Sequence, residues 1–217
     1  MEFWQRFATP QPPPWRTALP AALPDGRALD LPIRDFGTFG VGGFIANQAS
    51  LAVVRTIAGW MAEAARPSGA DLLVGLPTLG QVFAPLVAEQ LGHANWVAPG
   101  WSRKRWYEER LSVPVASITT PVERRLWLDP RLVPRLDGRR VLLVDDVIST
   151  GASARAGLEL LAAAGCRPVG LLVAMAQGPR WRAHWPAGLP VAAAFTTPLL
   201  HPTPDGWVPD LSEEPTA

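Results

Sequence analysis

The chain has 217 residues with 20 Lys and Arg against 19 Asp and Glu, a formal net charge of +1, so it has no global field for a nucleic acid or an anionic membrane. Hydrophobic residues make up 48% and charged residues 18%, enough apolar matter for one sizeable core and too little charge for a disordered chain. The single cysteine, Cys166, excludes intramolecular disulfides and multi-cysteine zinc modules and fits a buried thiol in a reducing compartment, so a cytoplasmic location is expected.

The opening MEFWQRFATPQPPPW has no basic region followed by an apolar stretch and a small-residue cleavage site, so export is not expected. Residues 8–24 hold six prolines and read as an extended arm of polyproline II character, spanning 1–27, ahead of a domain over 28–217. Such arms are most often solvated tails; Trp4, Phe7 and Trp15 point instead to an arm laid over a neighbour or a pocket. Residues 28–36 alternate loosely and suggest a strand, followed by a turn-rich loop, GTFGVGG, over 37–43. Leu51, Val54, Ile57, Ala58 and Met61 recur at helical spacing and predict a helix over 48–65, capped by Asn47 or Ser50.

The rest reads as a short apolar strand over 71–75, a helix over 81–91 ended by Gly92, and a buried strand over 96–98. An antiparallel ribbon follows, 112–119 with 124–128, turning at Thr120 and Pro121. An all-apolar strand over 141–144, a helix over 152–164 stopped by Gly165 and a strand over 169–174 complete the pattern. Two uncharged stretches, 36–54 and 183–204, are long enough on paper to cross a bilayer, but four glycines in the first and five prolines in the second rule this out. Alternating β and α elements imply an α/β fold with helices on both faces of an open parallel sheet and ligands beyond the strand C-termini.

The richest segment is VLLVDDVISTGAS over 141–153. A buried strand delivers Asp145 and Asp146 to its C-terminal edge, and a small, hydroxylic loop then opens a helix whose free N–H groups favour an anion. A phosphate beside carboxylates that accept hydrogen bonds from vicinal hydroxyls describes a site for a phosphorylated sugar. A carboxylate that caps an ordinary turn is the competing reading, and the residues alone leave both open.

The segment resembles the phosphoribosyl diphosphate (PRPP) signature of the type I phosphoribosyltransferases: apolar strand, acidic pair, two residues, then a T-G-small-S/T loop. The resemblance is strong over about 70–175. It implies an open twisted parallel sheet flanked by helices, with a small hood from the N-terminal arm, the C-terminal segment 190–211, or both. It implies that Asp145 and Asp146 bind the ribose hydroxyls and that Ser149, Thr150, Gly151, Ala152 and Ser153 cradle the 5′-phosphate. Ala152 stands where glycine is common and Ser153 where threonine is. Val147 and Ile148, just past the acidic pair, would lie near the acceptor base.

Two further segments are similar to family elements. VGLPTLG over 74–80 resembles the pyrophosphate loop, placing Pro77, Thr78, Leu79 and Gly80 against the diphosphate; taken alone it is a plain βα turn. Within WSRKRWYEER over 101–110, Ser102, Arg103 and Lys104 resemble the start of the adenine-type mobile loop, here about 101–121, which closes over PRPP. That makes Arg103 and Lys104 candidates for diphosphate contacts, with Glu109 as the candidate acid or base. The family loop continues with a second lysine and a Gly-Pro turn; this one runs Arg105, Trp106, Tyr107, Glu108, which leaves the proton-transfer role open.

The implied activity is transfer of the 5-phosphoribosyl group of PRPP to a nucleobase, a purine such as adenine, with release of diphosphate in nucleotide salvage. Orotate or another acceptor is the alternative, as is a PRPP-binding regulatory protein without turnover. Mg2+ would be held mainly by PRPP, with no dedicated protein ligands. The partners implied are PRPP and a nucleobase, within a homodimer, with no nucleic acid and no membrane. GTFGVGG does not match the dinucleotide fingerprint, and lining the base pocket is its other reading. His93, His184 and His201 are scattered and read as surface or core residues. Trp207 reads first as structural, with base stacking or a dimer contact as the alternatives.

Overall fold

The computed structural model describes residues 2–115 and 124–210. Strands β1 (Ala18–Ala22), β2 (Ala28–Asp35) and β3 (Gly40–Gly42) come first, then helix α1 (Leu51–Ala65), strand β4 (Leu72–Gly75) and helix α2 (Gly80–Gln90). A ribbon of β5 (Ser112–Val115) and β6 (Arg124–Trp127) precedes β7 (Val141–Ile148), helix α3 (Ala152–Ala163), β8 (Gly170–Gln177) and β9 (Val191–Thr197). Strands β10 (Leu200–Thr203) and β11 (Gly206–Pro209) close the described chain.

The central sheet is parallel in the order β4-β7-β8-β9. Side chains alternate across it, so Leu142 and Val144 join a core with α1 and α2 while Val141 and Leu143 join a second core with α3 and the ribbon. Helix α1 starts where the Ser50 hydroxyl accepts from the Val53 N–H at 3.3 Å and buries Val53, Val54, Ile57, Ala58, Met61 and Ala62 on one face. The helix predicted from residue 48 starts at Leu51 because Ala46–Gln48 forms a separate 3-10 turn. Cys166 is buried and free, and burial pushes its thiol pKa up.

A second sheet, five strands in the order β1-β2-β3-β10-β11, is antiparallel throughout and draws on both ends of the chain. The segment expected as a free-standing arm therefore belongs to this sheet through β1, with Ala8 bridged to Ala28 and Trp15 to Trp207. Trp4, Phe7 and Trp15 pack on the α1–α2 core, the outcome their size pointed to. Trp207 is structural: its ring covers Gly40, where an added Cβ would lie 2.8 Å from the indole. GTFGVGG contains β3 as well as a turn, and 96–98 is no strand but one bridge, Val74 to Val97. The predicted ribbon is present as β5 and β6 in the register Val113 to Leu126; its expected turn at Thr120 and Pro121 lies outside the described residues. Among the described residues no helix is long and apolar enough to cross a membrane.

Phe83 of α2 is fully buried and packs on Phe44, ring centroids 6.2 Å apart, where the helix layer meets the antiparallel sheet. Phe83→Ala is expected to cost about 3–5 kcal/mol, seen as a lower urea midpoint at an unchanged m-value.

Candidate active site

Parallel pairing of β4 with β7, Gly75 opposite Val144, brings two strand-to-helix loops side by side at one edge of the sheet. The first runs from Leu76 into α2. Its Leu76 N–H donates to the Val144 carbonyl at 2.8 Å, and the Gln81 amide donates to the carbonyls of Gly75 and Pro99. The Pro77–Thr78 peptide bond is cis. Pro77 and Leu79 are half-buried, Thr78 is exposed and Gly80 is buried. The contact between the loops is at Gly80: a Cβ there would sit 2.6 Å from the Val144 carbonyl oxygen and 2.8 Å from the Asp145 Cα. Only glycine allows that approach.

The second loop leaves β7 after the acidic pair. Asp145 is 6% exposed, Asp146 is half-buried, and the Asp146 N–H donates to Asp145 Oδ1 at 2.9 Å. Burial, and then the neighbouring Asp146, holds the Asp145 carboxyl well above the usual carboxylate range, and burial raises Asp146 as well. Gly151 caps α3 in the left-handed region at φ 76°, turning the chain so that the backbone N–H groups of Thr150, Gly151, Ala152 and Ser153 have no hydrogen-bond acceptor among the described residues. Ser149 is half-buried, and the hydroxyls of Thr150 and Ser153 belong to exposed residues. Arg155 donates to the Thr150 carbonyl at 3.0 Å, and Arg180 Nη2 donates to Ser149 Oγ at 3.0 Å.

A cleft of about 180 Å³ separates the acidic pair from the antiparallel sheet, lined by Arg34, Gly42, Gly43, Asp146, Val147 and Gln177 among others. Val147 faces it. Ile148 does not: it is 1% exposed in the α3-side core, because β7 runs on to residue 148 and consecutive strand residues point to opposite faces. Both could not line one pocket. Gln177 and Arg34 carry no motif and were invisible in the sequence. The only prior signal was the glycine-rich 37–43 stretch, whose Gly42 and Gly43 form a wall of the cleft.

The basic segment is not folded onto the acidic pair. Arg103 Nη1 lies 3.3 Å from Glu109 Oε2, its guanidinium 5.3 Å from the Trp127 ring centre. Lys104 is exposed. Among the described residues no hydrogen bond or ion pair links Arg103, Lys104 or Glu109 to Asp145 or Asp146. The 116–121 part of the expected mobile loop lies outside the described residues.

A parallel sheet that sets a helix start with free N–H groups beside a buried acidic pair is an α/β arrangement suited to an anion that also bears hydroxyls. The phosphoribosyl transferase domain model matches residues 42–185, and the chain belongs to that family. It is 34% identical over 125 residues to the adenine phosphoribosyltransferase of Frankia casuarinae, covering 55% of this chain and 60% of that one. The enzyme of the same name from Thermobifida fusca is 36% identical over 126 residues, 58% and 68% of the two chains. The chain spans about three fifths of the length of the first curated relatives it matches. The adenine phosphoribosyltransferase structure from Rhodothermus marinus shares the fold, with a TM-score of 0.59 and 22% identity over 76% of this chain and 94% of that one.

Both site carboxyls titrate above their usual value of 3.8. Their ionisation therefore subtracts stability: the native state is least burdened below pH 3.8 and loses stability as the pH rises through the raised native values. Asp145→Asn, which keeps the Oδ1 acceptor, is expected to raise the melting temperature of the unliganded protein at pH 7 by several degrees, at roughly 2–4 °C per kcal/mol relieved. The gain should vanish towards acid pH in thermal scans from pH 4 to 8.

Proposed function

We propose that the protein transfers the 5-phosphoribosyl group of PRPP to a purine, adenine foremost, and releases diphosphate. The observation that carries this reading is Gly80 packed on Asp145, which joins a backbone-amide loop suited to diphosphate, a carboxylate pair suited to the ribose hydroxyls and a helix start suited to the 5′-phosphate. Adenine is favoured because the relatives are adenine phosphoribosyltransferases. In this reading the antiparallel sheet is the hood, and the cleft between Gly42, Gly43 and Val147 takes the base.

Breaking the bond between C1 and the diphosphate leaves positive charge on the sugar and negative charge on the leaving group, so the protein's task is to neutralise one and shield the other. The N–H groups of Thr78, Leu79 and Gly80 would donate to the diphosphate, and Arg103 and Lys104 would add cationic charge. Ser149, Thr150, Gly151, Ala152 and Ser153 would hold the 5′-phosphate. Among the described residues no cluster of three or more His, Cys, Asp or Glu is placed to hold a metal ion. The acidic pair, assigned here to the ribose hydroxyls, is no full ligand set, which fits a hard Mg2+ held mainly by the substrate's own oxygens and by water; such an ion would neutralise leaving-group charge. Glu109, paired with Arg103, is the candidate acid or base. That same pair favours a second reading, a PRPP-binding regulator without turnover, because it occupies one of the loop cations internally.

Incubating the protein with PRPP, Mg2+ and in turn adenine, guanine, hypoxanthine, xanthine, orotate and uracil decides between these. Diphosphate release with adenine is the expected result; tight PRPP binding by calorimetry without release on any base supports the regulator. Asp145→Asn combined with Asp146→Asn should abolish PRPP binding. Lys104→Ala should lower kcat far more than it raises the KM for PRPP, since its contribution grows as the leaving group gains charge.

A further inference from the structure

Arg180, three residues beyond β8, reaches the phosphate loop from the side opposite the acidic pair's strand partner β4. Its Nη2 donates to Ser149 Oγ at 3.0 Å, its guanidinium carbon lies 4.6 Å from the centre of the Phe39 ring, and its Nε is buried with no hydrogen-bond partner. The residue is half-buried, and among the described residues no Asp or Glu forms an ion pair with it. The other guanidinium at this loop, Arg155, is engaged with the Thr150 carbonyl. A half-buried guanidinium with no counter-ion and a buried, unused Nε–H is a costly arrangement unless an anion completes it.

We infer that Arg180 is the side-chain cation for the 5′-phosphate, an inference that rests on reading 149–153 as the phosphate cradle. The free amides at the start of α3 approach the phosphate along the helix axis and lack a full positive charge; Arg180 supplies that charge from the flank. Its planar fork can donate two parallel N–H bonds to phosphate oxygens, which a lysine cannot. Phe39 backs the guanidinium plane and keeps the fork turned towards Ser149. Because Phe39 belongs to the β2–β3 turn, phosphate binding would also brace the antiparallel sheet against the loop.

The test compares wild type, Arg180→Gln and Arg180→Lys for ribose 5-phosphate, PRPP and inorganic diphosphate, by calorimetry in Mg2+, with melting curves to verify folding. Gln removes the charge and also falls short of Ser149, so the melting curves and the affinity for diphosphate separate a lost phosphate contact from a lost structural brace. The expected result is a loss of roughly 10- to 100-fold in affinity for ribose 5-phosphate and PRPP alike in Arg180→Gln, an unchanged affinity for diphosphate, and partial recovery in Arg180→Lys. An Arg180→Gln protein that binds ribose 5-phosphate as wild type does, or loses diphosphate to the same degree, overturns the assignment. Failure of the wild type to bind PRPP or ribose 5-phosphate would overturn the cradle itself, and the inference with it.

Discussion

The site depends on one steric constraint, the absence of a side chain at Gly80. Parallel strands β4 and β7 are neighbours, so the loops leaving them must either diverge or share backbone space. The Leu76 N–H to Val144 carbonyl bond draws the first loop in, and the missing Cβ lets it rest on the Asp145 backbone. The two loops thereby lie against each other at Gly80 and Asp145, although they are far apart in sequence. Any larger residue would force backbone to move, since both obstructing groups are main chain.

Against that constraint stands an electrostatic cost. Burial raises both adjacent carboxyls, and the Asp146 charge raises the almost fully buried Asp145 further, which reduces the stability of the unliganded chain at neutral pH. The surrounding cores tolerate this: β7 is fully buried from Val141 to Val144, with apolar layers on both faces. A sugar bearing two hydroxyls would donate into these oxygens and recover part of the cost on binding, which is how a strained site turns local instability into affinity.

The legible parts of the sequence were those in which local pattern and global fold agree. The strand at 141, the helix after Gly151 and the helix stop at Gly165 follow from apolar runs, small loop residues and glycine, and the structure has all three. Strands β1, β3, β10 and β11 were not legible, because each is short and carries Pro or Gly, and the links that join the two ends of the chain into one sheet, β3 with β10 and Trp15 with Trp207, run across long separations. Their identity as strands lies in the partner, and strand propensity follows such context. Ile148 departs from expectation for a related reason: in the sequence the charged pair reads as the strand's end, whereas β7 continues through it and returns the alternation to the core. Arg180 and Gln177 lay at the end of a strand with no motif around them, and only the folded arrangement brings them to Ser149 and Gly42.

In the proposed reading, this division also separates the residues that would bind PRPP from those that would select its acceptor. The loops assigned to phosphate and ribose in that reading lie within the family-matched residues 42–185 and offer mostly backbone groups and two carboxylates, so a short motif can encode them. The cleft wall is different. Arg34 lies before that region, Gly42 and Gly43 lie at its first residues, and Gln177 reaches across from β8 to donate to the Gly42 carbonyl at 2.7 Å. Discrimination between bases comes from pairing or refusing particular donors and acceptors, and here those groups are set by antiparallel strands assembled from both ends of the chain. A change in β10 or β11 can therefore shift the cleft wall through β3 without touching the loops at Gly80 and Gly151, so that in the proposed reading PRPP recognition and acceptor choice vary independently.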